Sequence, residues 1–300
     1  VLLLETIILL RSGELIDAQK TLEGAEDSPQ QHYGLALLSI VQGSHQRAVK
    51  ELGLTAEGWD PILRSYARTL QSAYDEFMLF PEGSDMHLIT LLSRALAQVQ
   101  ECELALPLLI QVTSVKDDYR DAWIVQGYCE LVTERAEQSL ASLEHAYSLD
   151  PQKPEVQYFL ARAYAALHEY QNAITFFEYS LSNGFQPQAE IRRLIAKNAL
   201  EIGNAGLALD QYDALTLEST ATLEVFEGYI SAAAALGRTE EAYTKAILAT
   251  SRWPNDANAY DLLAGIALQI DKKDDARKAI EKALDLNPNL ESAKQKMELL

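Results

Sequence analysis

Residues 120–153 read RDAWIVQGYCELVTERAEQSLASLEHAYSLDPQK, and this stretch decides the fold. Ala122, Trp123 and Gly127 lie on a first amphipathic segment over 120–133, and residues 133–135 make a turn. Ser139, Leu143 and Ala146 then recur at spacings of four and three, which is one apolar stripe of a second helix. Asp150-Pro151 ends that helix, because proline has no amide hydrogen to give and biases its predecessor away from the helical region. The stretch therefore predicts two helices joined by a short turn, each apolar along one face only.

The same pattern recurs down the last two-thirds of the chain. Units begin at Met86, Arg120, Pro154, Ala189, Leu223 and Ala257, in steps of 34, 34, 35, 34 and 34 residues. A small residue sits near the start of each second segment: Ala105, Ser139, Ala173, Ala208, Ala242 and Ala276. Three units close on proline, at Pro151, Pro254 and Pro288. A fixed period of this length belongs to stacked supersecondary units, each of which buries its apolar face only against its neighbours.

These residues resemble the tetratricopeptide repeat (TPR) family, whose pattern is Trp-x2-Leu-Gly-x2-Tyr, then Ala-x3-Phe, then Pro. The unit from Arg120 supplies Trp123, Gly127, Ser139, Leu143, Ala146 and Pro151 but has lost the Leu and Tyr slots. The last unit comes closer, with Tyr260, Leu263, Ala264, Ala267, Ala276, Ile280, Ala283 and Pro288. The resemblance implies an all-α chain, a right-handed α-α superhelix (solenoid) of TPR-like helix-turn-helix hairpins.

Six such repeats are expected at 86–119, 120–153, 154–188, 189–222, 223–256 and 257–290, that is over 86–290, followed by a capping helix at 291–300. Degenerate hairpins are expected over 1–58. An inserted long helix and loop over 59–85 come between, with Asp60 as N-cap and Pro61 at the first helical position. That helix is expected to present Ile62, Tyr66, Leu70, Tyr74 and Phe77 on one face and to stop at Pro81-Glu82-Gly83.

Apolar residues make up 48% of the chain, enough for a continuous core, and the net charge is −19. So acidic a chain is expected to bind neither nucleic acid nor an anionic membrane surface, both of which need a basic stripe. The apolar run near Val1 is interrupted by Glu5, stops at Arg11 and is too short to span a bilayer. The chain starts at Val, so an upstream segment is expected. Cys102 and Cys129 make neither a disulfide framework nor a zinc spacing, and they fit a reducing, cytoplasmic location.

No phosphate loop, G-x-S-x-G or H-E-x-x-H motif is present. The five histidines are scattered, without a partner at ligand spacing. Carboxylate pairs such as Glu240-Glu241 and Asp274-Asp275 begin second helices, where they complement the helix dipole. No catalytic residue, cofactor or metal is expected, and the chain is read as no enzyme.

The informative residues form the other stripe of each first helix, which in the TPR family lines a concave groove for an extended peptide or a partner helix. Here it runs His87, Thr90, Arg94, Ala97; Asp121, Ile124, Tyr128, Leu131; Glu155, Tyr158, Arg162, Ala165. It continues Glu190, Arg193, Lys197, Leu200; Glu224, Glu227, Ser231, Ala234; Asn258, Asp261, Gly265, Leu268. The candidate partner-binding residues are His87, Arg94, Ile124, Tyr128, Tyr158, Arg162, Arg193 and Lys197, since arginine and tyrosine dominate binding hot spots. Ordinary pairing of these cations with Glu155, Glu190 or Asp121 is the competing explanation. The carboxylate clamp by which one subfamily grips chaperone tails is absent, because the corresponding positions hold Thr90, Arg94, Ile124, Tyr128, Tyr158 and Arg162.

The expected function is a soluble, non-catalytic protein–protein interaction scaffold whose groove binds a peptide or partner helix with an acidic segment. The alternatives are the repeat region of a larger enzyme such as a transferase, or a subunit of an envelope secretion or assembly complex.

Overall fold

The computed structural model describes residues 1–80 and 82–300. Pro81, part of the stop expected after the long helix, lies outside the described residues. Among those described, every regular element is α-helical. The chain divides into two compact units, Val1–Ala163 and Tyr164–Leu300.

The N-terminal unit contains α1 (Leu2–Arg11), α2 (Leu15–Glu23), α3 (Pro29–Val41), α4 (His45–Glu57), α5 (Pro61–Met78), α6 (Asp85–Gln98), α7 (Cys102–Val115), α8 (Arg120–Val132) and α9 (Ala136–Leu149). The boundary between units falls inside α10 (Pro154–Ala166). The C-terminal unit continues with α11 (Tyr170–Ser182), α12 (Gln188–Glu201), α13 (Ala205–Thr216), α14 (Leu223–Ala235), α15 (Thr239–Arg252), α16 (Ala257–Gln269), α17 (Lys273–Leu286) and α18 (Glu291–Met297).

One backbone device joins the helices of each pair. Two residues before every second helix the chain turns left-handed, at Gly13, Gly43, Gln100, Glu134, His168, Gly203, Gly237 and Asp271. The last six are spaced 34, 34, 35, 34 and 34 residues apart. The next amide reaches back to a carbonyl five residues earlier, as Arg135 N does to Glu130 O at 2.8 Å and Lys272 N to Ala267 O at 2.9 Å. This bond satisfies a carbonyl that the end of the helix would otherwise leave bare.

The small residues read from the sequence lie where paired helices approach. Ala122, Ser139, Leu143 and Ala146 are fully buried. Ser139 Oγ donates to the Gly127 carbonyl at 2.7 Å, and a Cβ at Gly127 would lie 2.5 Å from Leu143 Cγ. In the C-terminal unit the Tyr212 ring fills the space that a Cβ at Gly228 would need. Phe226, fully buried, meets Trp253 edge-on at 5.2 Å. Helix α18 closes that unit, with Ala293 fully buried among Ala264, Ile280 and Ala283.

Four features depart from the sequence reading. First, α5 is a single helix packed between α4 and α6, capped as expected by Asp60, which accepts from the amides of Ile62 and Leu63. Its buried line is Leu63, Ala67, Leu70 and Ala73, and Ile62 is 61% exposed. Leu70 is common to both lines, and Tyr66, Tyr74 and Phe77 are half-buried against the core at its flanks.

Second, contacts in the N-terminal unit are not only between neighbours. Helix α1 reaches α7, where Arg11 pairs with Glu101 at 3.0 Å and Glu103 at 2.9 Å. A lone helix in place of a hairpin at α5 shortens the path from α1 to α7.

Third, Cys102 and Cys129 are joined in a disulfide across the start of α7 and the middle of α8, with Cα atoms 5.0 Å apart. Their separation of 27 residues carries no pairing signal. Only the antiparallel packing of successive helices brings them together.

Fourth, two of the histidines, which have no partner at a metal-ligand spacing in the sequence, have carboxylates beside them in the fold. His32 Nδ1 lies 2.7 Å from Glu51 Oε2 and its Nε2 2.8 Å from Asp27 Oδ1; His145 Nε2 lies 3.3 Å from Asp117 Oδ1. These partners come from the preceding turn, the following helix or a distant loop, so no spacing rule reveals them. Among the described residues no group of three His, Cys, Asp or Glu side chains could hold a metal ion.

Candidate functional site

The N-terminal unit has a concave pocket of about 640 Å³ on its first-helix faces. Its apolar lining is Phe80, Leu91, Ile124, Val125, Tyr128 and Phe159, and its polar lining includes His87, Arg94, Tyr119 and Lys153. Helices α6 and α8 supply most of it because their stripes at spacings of three and four face the same side. Tyr128 and Phe159 pack with ring centroids 5.2 Å apart.

His87 is the polar centre. It meets the Phe80 ring edge-on at 5.0 Å, and its Nδ1 lies 2.7 Å from the Tyr119 hydroxyl. Burial, with the nearby Asp121 charge, raises the Tyr119 pKa, so the phenol keeps its proton. The other ring nitrogen, Nε2, is buried and has no hydrogen-bond partner. A buried polar atom left unpaired costs about 1–3 kcal/mol. Arg94 pairs with Glu76, and Lys153 Nζ is 3.5 Å from Glu155.

The candidate residues thus fall into three groups. His87, Arg94, Ile124 and Tyr128 share this pocket. Tyr158 is only 5% exposed and the Arg162 guanidinium lies over its ring at 5.8 Å, so this tyrosine is packed rather than presented. Arg193 and Lys197 belong to the C-terminal unit, where both converge on Glu224 Oε1, at 3.8 and 2.6 Å. The hydrogen bond from Lys197 is the main reason the Glu224 carboxyl sits below its ordinary range. Their partner is therefore Glu224, which belongs to the following first helix and was not among the three carboxylates weighed from sequence.

Eight lining residues lie off the predicted stripe: Glu76, Leu91, Gln98 and Val125, besides Phe80, Tyr119, Lys153 and Phe159. Phe80 and Tyr119 precede their helices, off any stripe, and Lys153 sits in a turn. Phe159 is one position beyond Tyr158, and a helix turns about 100° per residue, enough to exchange a buried face for a lining one.

Residues 131–190 and 257–290 match models of the tetratricopeptide repeat. Comparison with curated proteins gives no match. Among solved structures, the chain is similar to YrrB, described as a TPR protein with an unusual peptide-binding site. That match has 17% identity over 63% of this chain and 97% of that one, with a TM-score of 0.55. The chain is also similar to PilW, described as a widely conserved type IV pilus biogenesis factor, at 14% identity over 72% of this chain and 99% of that one, TM-score 0.54. At such identities the likeness concerns the fold.

Proposed function

We propose that this chain, a tetratricopeptide-repeat protein and so a protein-interaction scaffold, binds an extended peptide segment in the concave pocket of its N-terminal unit. The observation that carries the reading is the unpaired, buried Nε2 of His87 in a pocket that sets Ile124, Tyr128 and Phe159 beside Arg94 and Lys153. A peptide carbonyl or carboxylate would accept from it, while Ile124, Tyr128 and Phe159 enclose an apolar side chain. Arg94 and Lys153 favour an acidic residue beside that anchor, each by exchanging its present carboxylate partner for the ligand's.

The test is affinity capture with the intact chain, repeated with Tyr128→Ala and His87→Phe. A partner held in the pocket is lost from both variants, while a partner held elsewhere is retained by both. Tyr128→Ala is expected to act through faster dissociation, because a packed anchor is removed.

A second reading, a subunit of an envelope assembly complex, is favoured by the Cys102–Cys129 bond. Such bonds persist in oxidising compartments and are rare in the cytosol. Alkylation of free thiols in intact cells, followed by mass analysis, tests it: an alkylated pair would return the protein to a reducing location.

A further inference from the structure

The C-terminal unit carries a concave surface of its own, about 590 Å³, between α14, α16 and α18. Ile230, Ala234, Leu262 and Ile266 line it with apolar surface, and Glu227, Asn258 and Asp261 give it a polar wall. The charges that bear on Glu227 are all negative, from Glu224, Asp256 and Asp261, and they add to desolvation in raising its carboxyl pKa. A carboxylate so placed is short of a cation.

The chain itself shows how a cation sits there. Lys296, on α18, lays its stem over α16 so that a Cβ at Gly265 would touch its Cε at 3.4 Å. Its ammonium lies 2.6 Å from Asp261 Oδ2 and donates to the Asp261 carbonyl at 3.1 Å. Ser292 donates to the same Oδ2 at 2.8 Å. Asp261 Oδ1 remains buried without a partner. The Lys296 ammonium therefore engages one carboxylate oxygen of Asp261 and leaves the other unpaired.

We propose that this groove docks a lysine- or arginine-bearing segment of a partner protein, its alkyl stem along Ala234 and Leu262 and its cation between Glu227 and Asp261. The occupant is fixed by charge complementarity: an acidic wall, an apolar floor long enough for an alkyl stem, and a lysine already seated at the far end. The proposal concerns a different unit and the opposite ligand charge from the pocket around His87, and it stands whether or not that pocket binds a peptide. A metal ion is a poorer occupant, because no three carboxylates among the described residues converge closely enough to ligate one.

The test uses the whole chain and two fluorescein-labelled peptides, one of repeated Lys-Ala-Leu and one of repeated Glu-Ala-Leu, read by fluorescence anisotropy at low and physiological salt. The lysine peptide is expected to bind and the glutamate peptide not to. Glu227→Gln should weaken binding about threefold, the size of one partly exposed ion pair. Ser231→Arg, which places a cation in the groove from an exposed position, should abolish it. Lys296→Gln should tighten it, since the internal competitor is gone. Glu281→Gln, on α17 away from the groove, should change nothing. Equal losses from Glu227→Gln and Glu281→Gln would mean that the net charge alone attracts the peptide, and the proposal falls. Binding of the glutamate peptide, or undiminished binding by Ser231→Arg, overturns it as well.

Discussion

Replacing Gly127 by alanine should destabilise the chain, although alanine is the better helix former. In the interior of α8 the exchange gains about 1 kcal/mol of helix propensity. Against this, the new Cβ would stand 2.5 Å from Leu143 Cγ, 2.8 Å from Cδ2 and 3.2 Å from Cδ1. Leu143 is fully buried and has nowhere to swing, so α8 and α9 must part, at the cost of about 1–3 kcal/mol typical of overpacking. The net loss is about 0–2 kcal/mol. Gly53 is the internal control: it also lies within a helix, and the nearest atom to its added Cβ is Gln71 Nε2 at 4.0 Å. Gly53→Ala should keep the propensity gain of about 1 kcal/mol. A two-unit chain need not unfold in one step, so hydrogen exchange resolved to α8 and α9 should accompany urea titration. Adding Leu143→Ala to Gly127→Ala should cost less than Leu143→Ala alone, because the cavity and the extra methyl compensate. A Gly127→Ala protein stabilised as much as Gly53→Ala, or a strictly additive double variant, would refute close helix approach at this point.

Reduction of the Cys102–Cys129 bond should lower stability by up to about 3–4 kcal/mol on the loop-entropy model, with protection lost first in α6–α8; melting with and without reductant measures it. Removing residues 291–300 uncovers Ala264, Ile280 and Ala283, so exchange should quicken in α16 and α17 while α6–α9 stay protected; uniform loss along the chain would contradict a stack of local interfaces. Glu101 has its pKa raised, by burial first, with the Arg11 hydrogen bond opposing. Its contribution to stability is therefore full below the ordinary value of 4.5 and is lost as pH rises through the raised folded value. Wild type should lose stability relative to Glu101→Gln across that window, and parallel pH–stability curves would show that Glu101 titrates normally.

Much of the fold was legible because a 34-residue spacing survives the loss of individual consensus residues. Ala105, Ser139, Ala173, Ala208, Ala242 and Ala276 are all fully buried, as small residues at a helix crossing must be. The stripe at spacings of three and four was legible too, since His87, Arg94, Ile124 and Tyr128 meet in one pocket and Glu227, Ser231, Asn258 and Asp261 in another. What escaped the sequence depends on contacts between distant segments. The Cys102–Cys129 bond, the reach of Arg11 to Glu101 and the pairing of His32 with Glu51 join residues that no local rule connects. Phe80 and Tyr119 enter the pocket from outside the helices, where periodicity has no purchase. The Lys197–Glu224 pair was missed because a charge on a stripe does not reveal which neighbour it will face.

The left-handed residue before each second helix makes the turn a matter of main-chain angles rather than of side-chain identity. Gln100, Glu134, His168 and Asp271 adopt it without being glycine, at a cost of roughly 1–2 kcal/mol each. Gly13 and Gly43 adopt it in the part of the chain where the consensus is weakest. The pitch of the stack is thus stored in a feature that point substitutions on the helix faces do not touch. Concave residues can drift from acidic to basic or from polar to aromatic while the spacing between successive faces is kept. A chain built this way can change what it binds one face at a time, and the different linings of the two concave surfaces, one with Arg94 and Lys153 and the other with Glu227 and Asp261, fit such independence.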